Sequence, residues 1–397
     1  MVGALAHIRF VPLGGLRFPL LLVFFAAIPG LLLLFTFQDG MIWQGDSRAY
    51  ISASDDLLAG QLPEKFDWWP IGYPVLLALT ALVSGSSVSA AAISAVVGGG
   101  LLVLATYSLI KEVSGKRVLA LFASAFIAVS PGLLETGWIP QSDLWFAVSC
   151  TASLIPLAKA LNTDRNMARW LLLGALLTTT ATLFRYSGVA LLPAVAAASL
   201  LAPAGAASLR LLRTVSVTLL AGLGYGLNVL WHISIGLGWS GTDRGGVVDR
   251  SAADVIPEVL IGLGRLVVPA RFNSLVLVAG LLLVAVVASA LIVALRSSSR
   301  AVVPASIFIV GFWASFGIAM LDWLPQTQAA RYALAAQPAL LACLMFLIRN
   351  STSPTEVSRG RWLLWRVLLL GAVLLQLGRT AVLLSNRPEA SWLPPTL

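Results

Sequence analysis

The chain has 397 residues, of which 58% are hydrophobic and only 11% are charged, and its mean hydropathy is +0.91. About a quarter of the residues in a soluble globular protein are charged, so this composition excludes a soluble domain and predicts an all-α polytopic membrane protein. The formal net charge of +9 is then explained by the Lys and Arg residues that are enriched in the cytoplasmic loops of membrane proteins. We therefore expect membrane lipids, but no nucleic acid, as partners.

The hydrophobic runs predict about eleven transmembrane helices, because a spanning helix needs about 20 largely apolar residues. The first run, Arg17 to Phe37, is followed by no A-x-A cleavage site, so we interpret it as a retained anchor. The runs Trp170 to Phe184 and Gly188 to Leu201 are short, and they form either one bent hairpin or a pair that does not cross fully. The other predicted spans are Val88 to Leu109, Val118 to Leu134, Leu144 to Ala160, Val215 to Ile235, Ser274 to Leu295, Val302 to Met320, Tyr332 to Ile348 and Trp362 to Leu384.

Loop charges predict the orientation of these helices. The segments Lys111 to Arg117 and Arg349 to Arg361 are basic, whereas residues 38–87, 135–143 and 239–272 hold most of the acidic side chains. We therefore place the N-terminus and the basic loops in the cytoplasm and the acidic segments outside. The abundance of Arg and Ala over Lys favours a bacterial cytoplasmic membrane, with the acidic segments facing the periplasm.

Histidine and cysteine are too scarce for several kinds of site. The only histidines are His7 and His232, which excludes a Ser-His-Asp triad and histidine-based zinc sites. Cys150 and Cys343 fall inside predicted spans, where a free thiol behaves as a small apolar group. The glycine run Gly222 to Gly226 also lies in a span and favours close helix packing over nucleotide binding.

The first outer segment contains GDSRAYISASDD, from Gly45 to Asp56, where one Arg and three Asp residues follow an almost uncharged run. We predict a helix here, with Tyr50 and two leucines directed toward the membrane surface. The next stretch, FDWWPIGYPVLLALTALVSG, combines interfacial aromatic residues with prolines that suit a helix start. A second amphipathic helix is therefore expected on or in the interface, which makes this segment a structured ledge.

Several motifs, in this order along the chain, resemble the GT-C superfamily of polytopic glycosyltransferases. They are GDSRAY, WPIGYPVLLAL, PQSDLWFAV, TLFRYSGVALLPA and ARYALAAQPALL. The closest branch is that of the dolichyl-phosphate-mannose protein mannosyltransferases and ArnT-like aminoarabinose transferases. The resemblance implies a single transmembrane domain over residues 1–397, with a GT-C-like module at 1–205, variable helices at 206–397 and no separate soluble domain.

The resemblance also implies an activity. A sugar would pass from a polyprenyl-phosphate carrier to a hydroxyl or amine of a lipid, glycan or protein acceptor on the outer face. Asp46 matches the catalytic acid and would be the general base of a single, inverting displacement. Asp143 matches a second acid that assists the acceptor or a divalent metal. Ser47 replaces a neighbouring acid and no D-x-D motif is present, so the metal stays open and no other cofactor is expected.

Arginines are expected to bind the donor phosphate, because a guanidinium can hold a phosphate through two hydrogen bonds. The expected residues are Arg331, Arg271 and Arg185. We expect the glycine-rich and charged segment 241–259 to form a mobile lid over the acceptor. The side chains expected to line the substrate are Arg48, Tyr50, Trp69, Tyr73 and Tyr332.

Each of these residues also has a purely structural alternative. Asp46 or Asp143 could cap a helix, and Arg185 could extend toward lipid headgroups. Asp55 and Asp56 fit a solvated helix face. The alternative function is a lipid or glycolipid transporter or flippase without catalysis, and a non-catalytic assembly subunit is a further one. Transporters usually show internal repeats and charges near the bilayer midplane, and the lack of both here favours an enzyme.

Overall fold

The structure is a computed structural model that describes residues 17–37, 40–42, 45–63, 69–163, 166–203, 206–234, 251–268, 273–297, 299–322, 329–351 and 357–386. Within these ranges every regular element is a helix, which confirms the predicted class. A 3₁₀ helix, Tyr186–Leu191, joins α8 to α9. The α-helices are α1 (Arg17–Phe37), α2 (Gly45–Leu58), α3 (Gly72–Ser84), α4 (Ser87–Ser114), α5 (Arg117–Ala128), α6 (Pro131–Trp138), α7 (Asp143–Asn162), α8 (Met167–Phe184), α9 (Leu192–Leu201), α10 (Ala207–Ser234), α11 (Ala252–Gly264), α12 (Asn273–Arg296), α13 (Val303–Asp322), α14 (Ala329–Ser351) and α15 (Val357–Ser385).

Nine helices in the described part of the chain are long and apolar enough to cross a membrane. A tenth span results if α5 and α6, which are bent by 46° at a short break, are counted together. The break precedes Pro131, whose ring suits the first turn of a helix but not its interior. Of the two spans predicted to be short, α8 has 18 residues and passes as a full span, whereas the other consists of the 3₁₀ helix and the ten-residue α9. The count of about eleven stays a prediction.

Hydrogen bonds between helix ends distinguish the two ends of the bundle. Asn162 Nδ2, at the end of α7, donates to Oε1 of Glu112 near the end of α4 at 2.8 Å. Arg349 Nη1, near the end of α14, donates to the carbonyl oxygen of Val113 at 3.3 Å. The basic turn between α4 and α5 therefore lies at this end. We call the other end, where α7 and α14 start, the site end.

The helices α2 and α3 form the ledge predicted from the first outer segment. Tyr50 of α2 is only 1% exposed, so the prediction that it faces the membrane surface is wrong. Its ring contacts Tyr73 edge-on, with centroids 5.1 Å apart, and Trp69 at 5.8 Å. These contacts explain why Tyr50 is buried. Packing its ring against two other aromatic rings removes more apolar surface from water than leaving the phenol half-buried at the membrane surface. Leu58 on the same helix is exposed.

Small and polar residues set the distance between α8 and α10. A Cβ on Gly224 would meet the carbonyl oxygen of Thr179, so this glycine of the run in α10 serves the predicted close packing, whereas Gly222 and Gly226 have no atom within 4 Å of a Cβ position. Thr179 Oγ1 donates to the carbonyl oxygen of Leu220 at 2.7 Å, and Asn228 Nδ2 donates to that of Thr182 at 3.1 Å. Both cysteines, Cys150 and Cys343, are buried and free.

The predicted lid is only partly described. Residues 241–250 lie outside the described residues, and the remainder leads into α11. A capping box at Ser251 and Asp254 fixes the start of this helix. Near its end, a Cβ on Gly264 would collide with the backbone of Val276 in α12. The described part of the expected lid, residues 251–259, is therefore mostly the exposed first half of α11, and its mobility stays a prediction.

Candidate active site

An ion pair at the site end joins the start of α7 to the end of α8. Arg185 Nη1 donates to Asp143 Oδ1 at 2.7 Å, and the two side chains are 15% and 3% exposed. Asp143 is the first residue of α7, and Ser142 occupies its N-cap position. Arg185 is directed at a buried carboxylate and not at lipid headgroups. Ser142, not Asp143, is thus the N-cap residue of α7, and the side chain of Arg185 contacts that of Asp143.

A sharp turn after α8 places Arg185. The residue has an extended backbone, and its N–H donates to the carbonyl oxygen of Ala181, which ends the helix. Gly188 follows in the 3₁₀ helix, where a Cβ would lie 2.7 Å from the backbone nitrogen of Thr182. Because atoms cannot approach so closely without displacement, only glycine fits this turn. The local sequence thus folds the chain back and turns the guanidinium toward α7.

The hydroxyl of Tyr50 is buried next to the start of α7. It shares a hydrogen bond of 3.1 Å with Ser142 Oγ, so α2 is tied to the residue before Asp143. Burial raises the pKa of Tyr50, the nearby positive charge of Arg185 opposes the shift, and the carboxylates of Asp143 and Asp46 add to it. The phenol therefore stays neutral at physiological pH.

Asp46 lies half-buried in the first turn of α2. The helix begins one residue earlier, at Gly45, so Asp46 is not the N-cap residue proposed as its structural alternative. Its position brings a carboxylate to the site end beside the Tyr50 ring. Sequence reasoning therefore placed Asp46 and Tyr50 in the same region, although it gave the ring a different orientation.

The other acids of α2 differ from Asp46. Asp55 is exposed, and its Oδ1 accepts a hydrogen bond of 2.5 Å from Ser87 at the start of α4. Asp56 is partly exposed. Arg48, expected to line the substrate, is exposed as well. Asp55 is thus partly structural, since it connects the ledge to the bundle. Neither Asp55 nor Asp56 lies in the buried cluster, which consists of Tyr50, Asp143 and Arg185 with Asp46 at its edge.

Trp69 and Tyr73 complete the aromatic wall of the site. Tyr73 is 2% exposed, and its hydroxyl lies near the side chain of Ser94 and the backbone of Gln141. A Cβ on Gly72 would lie 2.5 Å from the carbonyl oxygen of Leu183, so α3 starts in close contact with the end of α8. The glycine before Tyr73 therefore allows the ledge to pack next to the ion pair.

Three predicted site residues cannot be placed in this cluster. Arg271 lies outside the described residues. Arg331 and Tyr332 belong to the first turn of α14, but their side chains lie outside the described part. Since α14 starts at the site end, the backbone of Arg331 is at the same end as Asp143.

The described residues do not fit a divalent metal at Asp143. Its carboxylate already accepts a charge-assisted hydrogen bond from Arg185. No group of three or more His, Cys, Asp or Glu side chains with metal-ligand spacing occurs among the described residues. The residue two positions before Asp143 is Gln141, a neutral amide. A guanidinium thus neutralises this carboxylate.

Sequence reasoning missed several polar residues near the ion pair. Ser142 holds the Tyr50 hydroxyl, and Gln141 is 3% exposed, with neither amide atom hydrogen-bonded within the described part of the chain. Tyr186, directly after Arg185, shares a hydrogen bond of 3.1 Å with the buried His232 Nε2. These residues are direct neighbours of predicted site residues: Gln141 and Ser142 precede Asp143, and Tyr186 follows Arg185. Only Asp143 and Arg185 were predicted to belong to the site.

The sequence of this region matches a family profile. The profile of the dolichyl-phosphate-mannose-protein mannosyltransferase family matches residues 69–231, which include Trp69, Tyr73, Asp143 and Arg185. The predicted resemblance is confirmed. A search of curated proteins found no match to the sequence.

Solved structures of polytopic transferases share the fold. The archaeal oligosaccharyltransferase AglB from Archaeoglobus fulgidus, in complex with an inhibitory peptide and a dolichol-phosphate, matches with a TM-score of 0.58 and 13% identity over 94% of this chain. ArnT from Cupriavidus metallidurans matches with a TM-score of 0.56 and 15% identity, over 81% of this chain in the apo state and 87% when bound to undecaprenyl phosphate. The chain spans 56% of the AglB chain and 59% and 63% of the ArnT chains. At these identities the likeness shows a common fold.

Proposed function

We propose that the chain is a glycosyltransferase that moves a sugar from a polyprenyl-phosphate carrier to an acceptor, with inversion at the anomeric carbon. The observation that carries the proposal is the buried ion pair of Asp143 with Arg185, next to the hydrogen-bonded pair of Tyr50 and Ser142 and in the same region as Asp46, at one end of a membrane bundle. The family resemblance supports a sugar transfer. The similar structures of AglB and ArnT contain dolichol-phosphate and undecaprenyl phosphate, which supports a lipid phosphate as the carrier.

The proposed reaction needs little covalent chemistry from the protein. The acceptor oxygen or nitrogen attacks the anomeric carbon, the bond from that carbon to the phosphate oxygen breaks, and its electron pair leaves with the phosphate. The proton of the acceptor passes to the Asp46 carboxylate. Attack from the side opposite the phosphate inverts the configuration. The protein therefore has to align the acceptor, take a proton and stabilise the departing phosphate.

The ion pair suits Asp143 for positioning and not for proton transfer. The charge-assisted bond from Arg185 holds its carboxylate in one orientation in a buried environment. Tyr50 and Ser142 brace the same region from α2 and α7. We propose that Asp143 orients the acceptor while Asp46, at the half-buried edge of the cluster, acts as the base.

The departing phosphate needs cationic partners. Arg185 already pairs with Asp143, so we propose Arg331 and Arg271 as the main phosphate-binding residues, with Arg185 as a further neighbour. The position of Arg331 in the first turn of α14, at the site end, supports this role, because a helix N-terminus also favours an anion. A phosphate between these groups would be stabilised as its charge develops.

We further propose that the site end faces the periplasm of a bacterial cytoplasmic membrane, with the N-terminus in the cytoplasm. The acidic residues of the site and the basic turn at the opposite end support this orientation. The Asp143–Arg185 pair lies at helix ends and not in the middle of a span, which favours an interfacial enzyme over a transporter.

A transfer assay with a panel of polyprenyl-phosphate sugars tests the proposal. The purified protein in lipid vesicles is mixed with each labelled donor and a membrane extract as the source of acceptor. We expect one donor to be consumed, with free polyprenyl phosphate and glycosylated product formed in equal amounts, and no consumption by Asp46→Asn. If every donor crosses the vesicle membrane intact without release of sugar, the transporter alternative is correct.

A further inference from the structure

A second polar cleft opens between α6, α14, α15 and the end of α11. About 370 Å³ of its space is not occupied by protein atoms, and part of this space is open to solvent. None of its lining residues belongs to the cluster around Asp143. The polar and charged residues that line it are Ser130, Glu135, Arg265, Gln337, Gln376 and Arg379.

The fold holds one of these cations firmly in place. Arg379 donates through Nη2 to the carbonyl oxygen of Arg265 at 3.2 Å and through Nη1 to that of Leu266 at 3.3 Å. Gln376 Nε2 donates to the same Leu266 oxygen at 3.1 Å. Since these acceptors are neutral carbonyl groups, the hydrogen bonds hold the guanidinium of Arg379 in place without neutralising its charge.

The remaining charges of the cleft are also uncompensated by direct contacts. Glu135 is within electrostatic range of Arg379 but makes no hydrogen bond or ion pair within the described part of the chain. The Nε of Arg265 is buried and has no partner in that part. Charged groups in a partly buried cleft are costly unless a complementary group binds them. The cleft thus offers two positive groups and one negative group to a ligand.

An apolar cavity continues the cleft into the bundle. It lies between α5, α12, α14 and α15, has a volume of about 120 Å³, and shares Leu266 and Gln337 with the polar cleft. Along α14 the polar cleft is lined by Leu334 and Gln337, nearer the site end, and the apolar cavity by residues 337–345. The helix α15 runs in the opposite direction. Its residues 369–373 line the apolar cavity, and Gln376 and Arg379, which follow in sequence, line the polar cleft. The polar cleft, which suits a headgroup, therefore lies nearer the site end, and the apolar cavity, which suits an acyl chain, lies deeper in the bundle.

The geometry points to a bound phospholipid with a phosphoethanolamine headgroup. Its phosphate would pair with Arg265 and Arg379, its primary ammonium would donate to Glu135, and an acyl chain would occupy the apolar cavity. A polyprenyl phosphate or a phosphatidylglycerol has no cation for Glu135 and would be repelled by it. A choline headgroup has no N–H to donate. The site is a structural lipid site that does not depend on the sugar transfer proposed above.

Native mass spectrometry of the purified full chain in detergent tests this inference. The protein is titrated separately with dioleoyl phosphatidylethanolamine, phosphatidylglycerol and phosphatidylcholine, and the apparent dissociation constants are compared. We expect one tightly bound phosphatidylethanolamine. Loss of a charge-assisted pair weakens binding by about tenfold or more, so Glu135→Gln should lose affinity for phosphatidylethanolamine by at least that factor and gain affinity for phosphatidylglycerol.

Two further variants keep the test decisive. Arg265→Gln should lower the affinity for both lipids and leave the hydrogen bonds of Arg379 intact, because those bonds reach the backbone of residue 265 and not its side chain. Glu112→Gln, at the opposite end of the bundle, should bind like the wild type. Equal wild-type affinity for the three lipids, unchanged binding by Glu135→Gln, or displacement of phosphatidylethanolamine by equimolar polyprenyl phosphate would each overturn the inference.

Discussion

Arg185 and Asp143 are 42 residues apart in the chain, yet Arg185 Nη1 lies 2.7 Å from Asp143 Oδ1 and joins the end of α8 to the start of α7. The carboxylate is 3% exposed, and the guanidinium is 15% exposed. A buried ion pair adds little net stability, but removal of one partner leaves the other charge without compensation. The pair therefore fixes the geometry of the candidate site more than it stabilises the fold.

The first prediction concerns this pair. Asp143→Asn or Arg185→Gln alone should lower the free energy of unfolding by about 3–5 kcal/mol, because each removes one partner of a buried ion pair. The double variant should lose clearly less than the sum of the two, with a coupling of about 0.5–3 kcal/mol. Denaturant unfolding in detergent micelles measures all three, and Glu112→Gln is the control at the opposite end. Strictly additive losses would show that the two residues act independently.

The second prediction concerns the turn that places Arg185. Gly188→Ala puts a methyl group 2.7 Å from the backbone nitrogen of Thr182, so the turn has to open. We expect a loss of about 1–3 kcal/mol, as for other overpacked sites, and reduced sugar transfer. Gly222→Ala, in α10, is the matched control, because no atom lies within 4 Å of its Cβ position. A fully active and stable Gly188→Ala protein would mean that the turn does not position the site.

The third prediction concerns topology. Gln61→Cys and Lys116→Cys introduce exposed thiols at the site end and at the opposite end, while the native Cys150 and Cys343 are buried. In intact cells an impermeant maleimide should label Gln61→Cys, and it should label Lys116→Cys only after lysis. The reverse pattern would place the candidate site in the cytoplasm and exclude a periplasmic reaction.

The fold could largely be predicted from the sequence, because membrane spans require uninterrupted apolar runs. The bend at Pro131 was missed, since a short break inside an apolar run leaves hydropathy unchanged. Asp46 and Asp143 were assigned from the family resemblance, and Arg185 was expected to bind the donor phosphate. The sequence could not show that Arg185 turns toward Asp143, because this depends on the contact of Gly188 with the preceding helix. Nor could it show the burial of Tyr50, which depends on long-range aromatic contacts with α3.

The cleft around Glu135 was harder to foresee. Glu135 and Arg379 are far apart in the chain, and each alone resembles an ordinary residue at a span end. Their relation emerges only where α6 and α15 pack together. Long-range packing between helices decides such sites, and a hydropathy pattern does not contain it.

The fourth prediction concerns the donor phosphate. Arg331→Ala should weaken donor binding by about ten- to a hundredfold, because the loss of a charge-assisted pair typically costs about 1.5–3 kcal/mol. Arg331→Lys should recover only part, since an ammonium cannot hold a phosphate bidentately. Donor affinity is measured by equilibrium binding, and thermal unfolding checks the fold. Arg210→Ala, an exposed cation at the start of α10, is the control. Wild-type affinity of the Arg331→Ala protein would remove Arg331 from the site.

The last prediction concerns the base. Asp46→Asn keeps the size of the side chain and an oxygen acceptor but cannot take a proton, so the protein should fold and still bind the donor. General-base catalysis contributes about 10²–10⁴-fold, and turnover should fall at least a hundredfold. Asp56→Asn, on the same helix but outside the buried cluster, should stay close to wild type. The assay measures polyprenyl phosphate released in a single turnover, which separates chemistry from product release. If Asp46→Asn keeps normal turnover and Asp143→Asn is inactive, Asp143 is the base; if both remain active, the glycosyltransferase proposal fails.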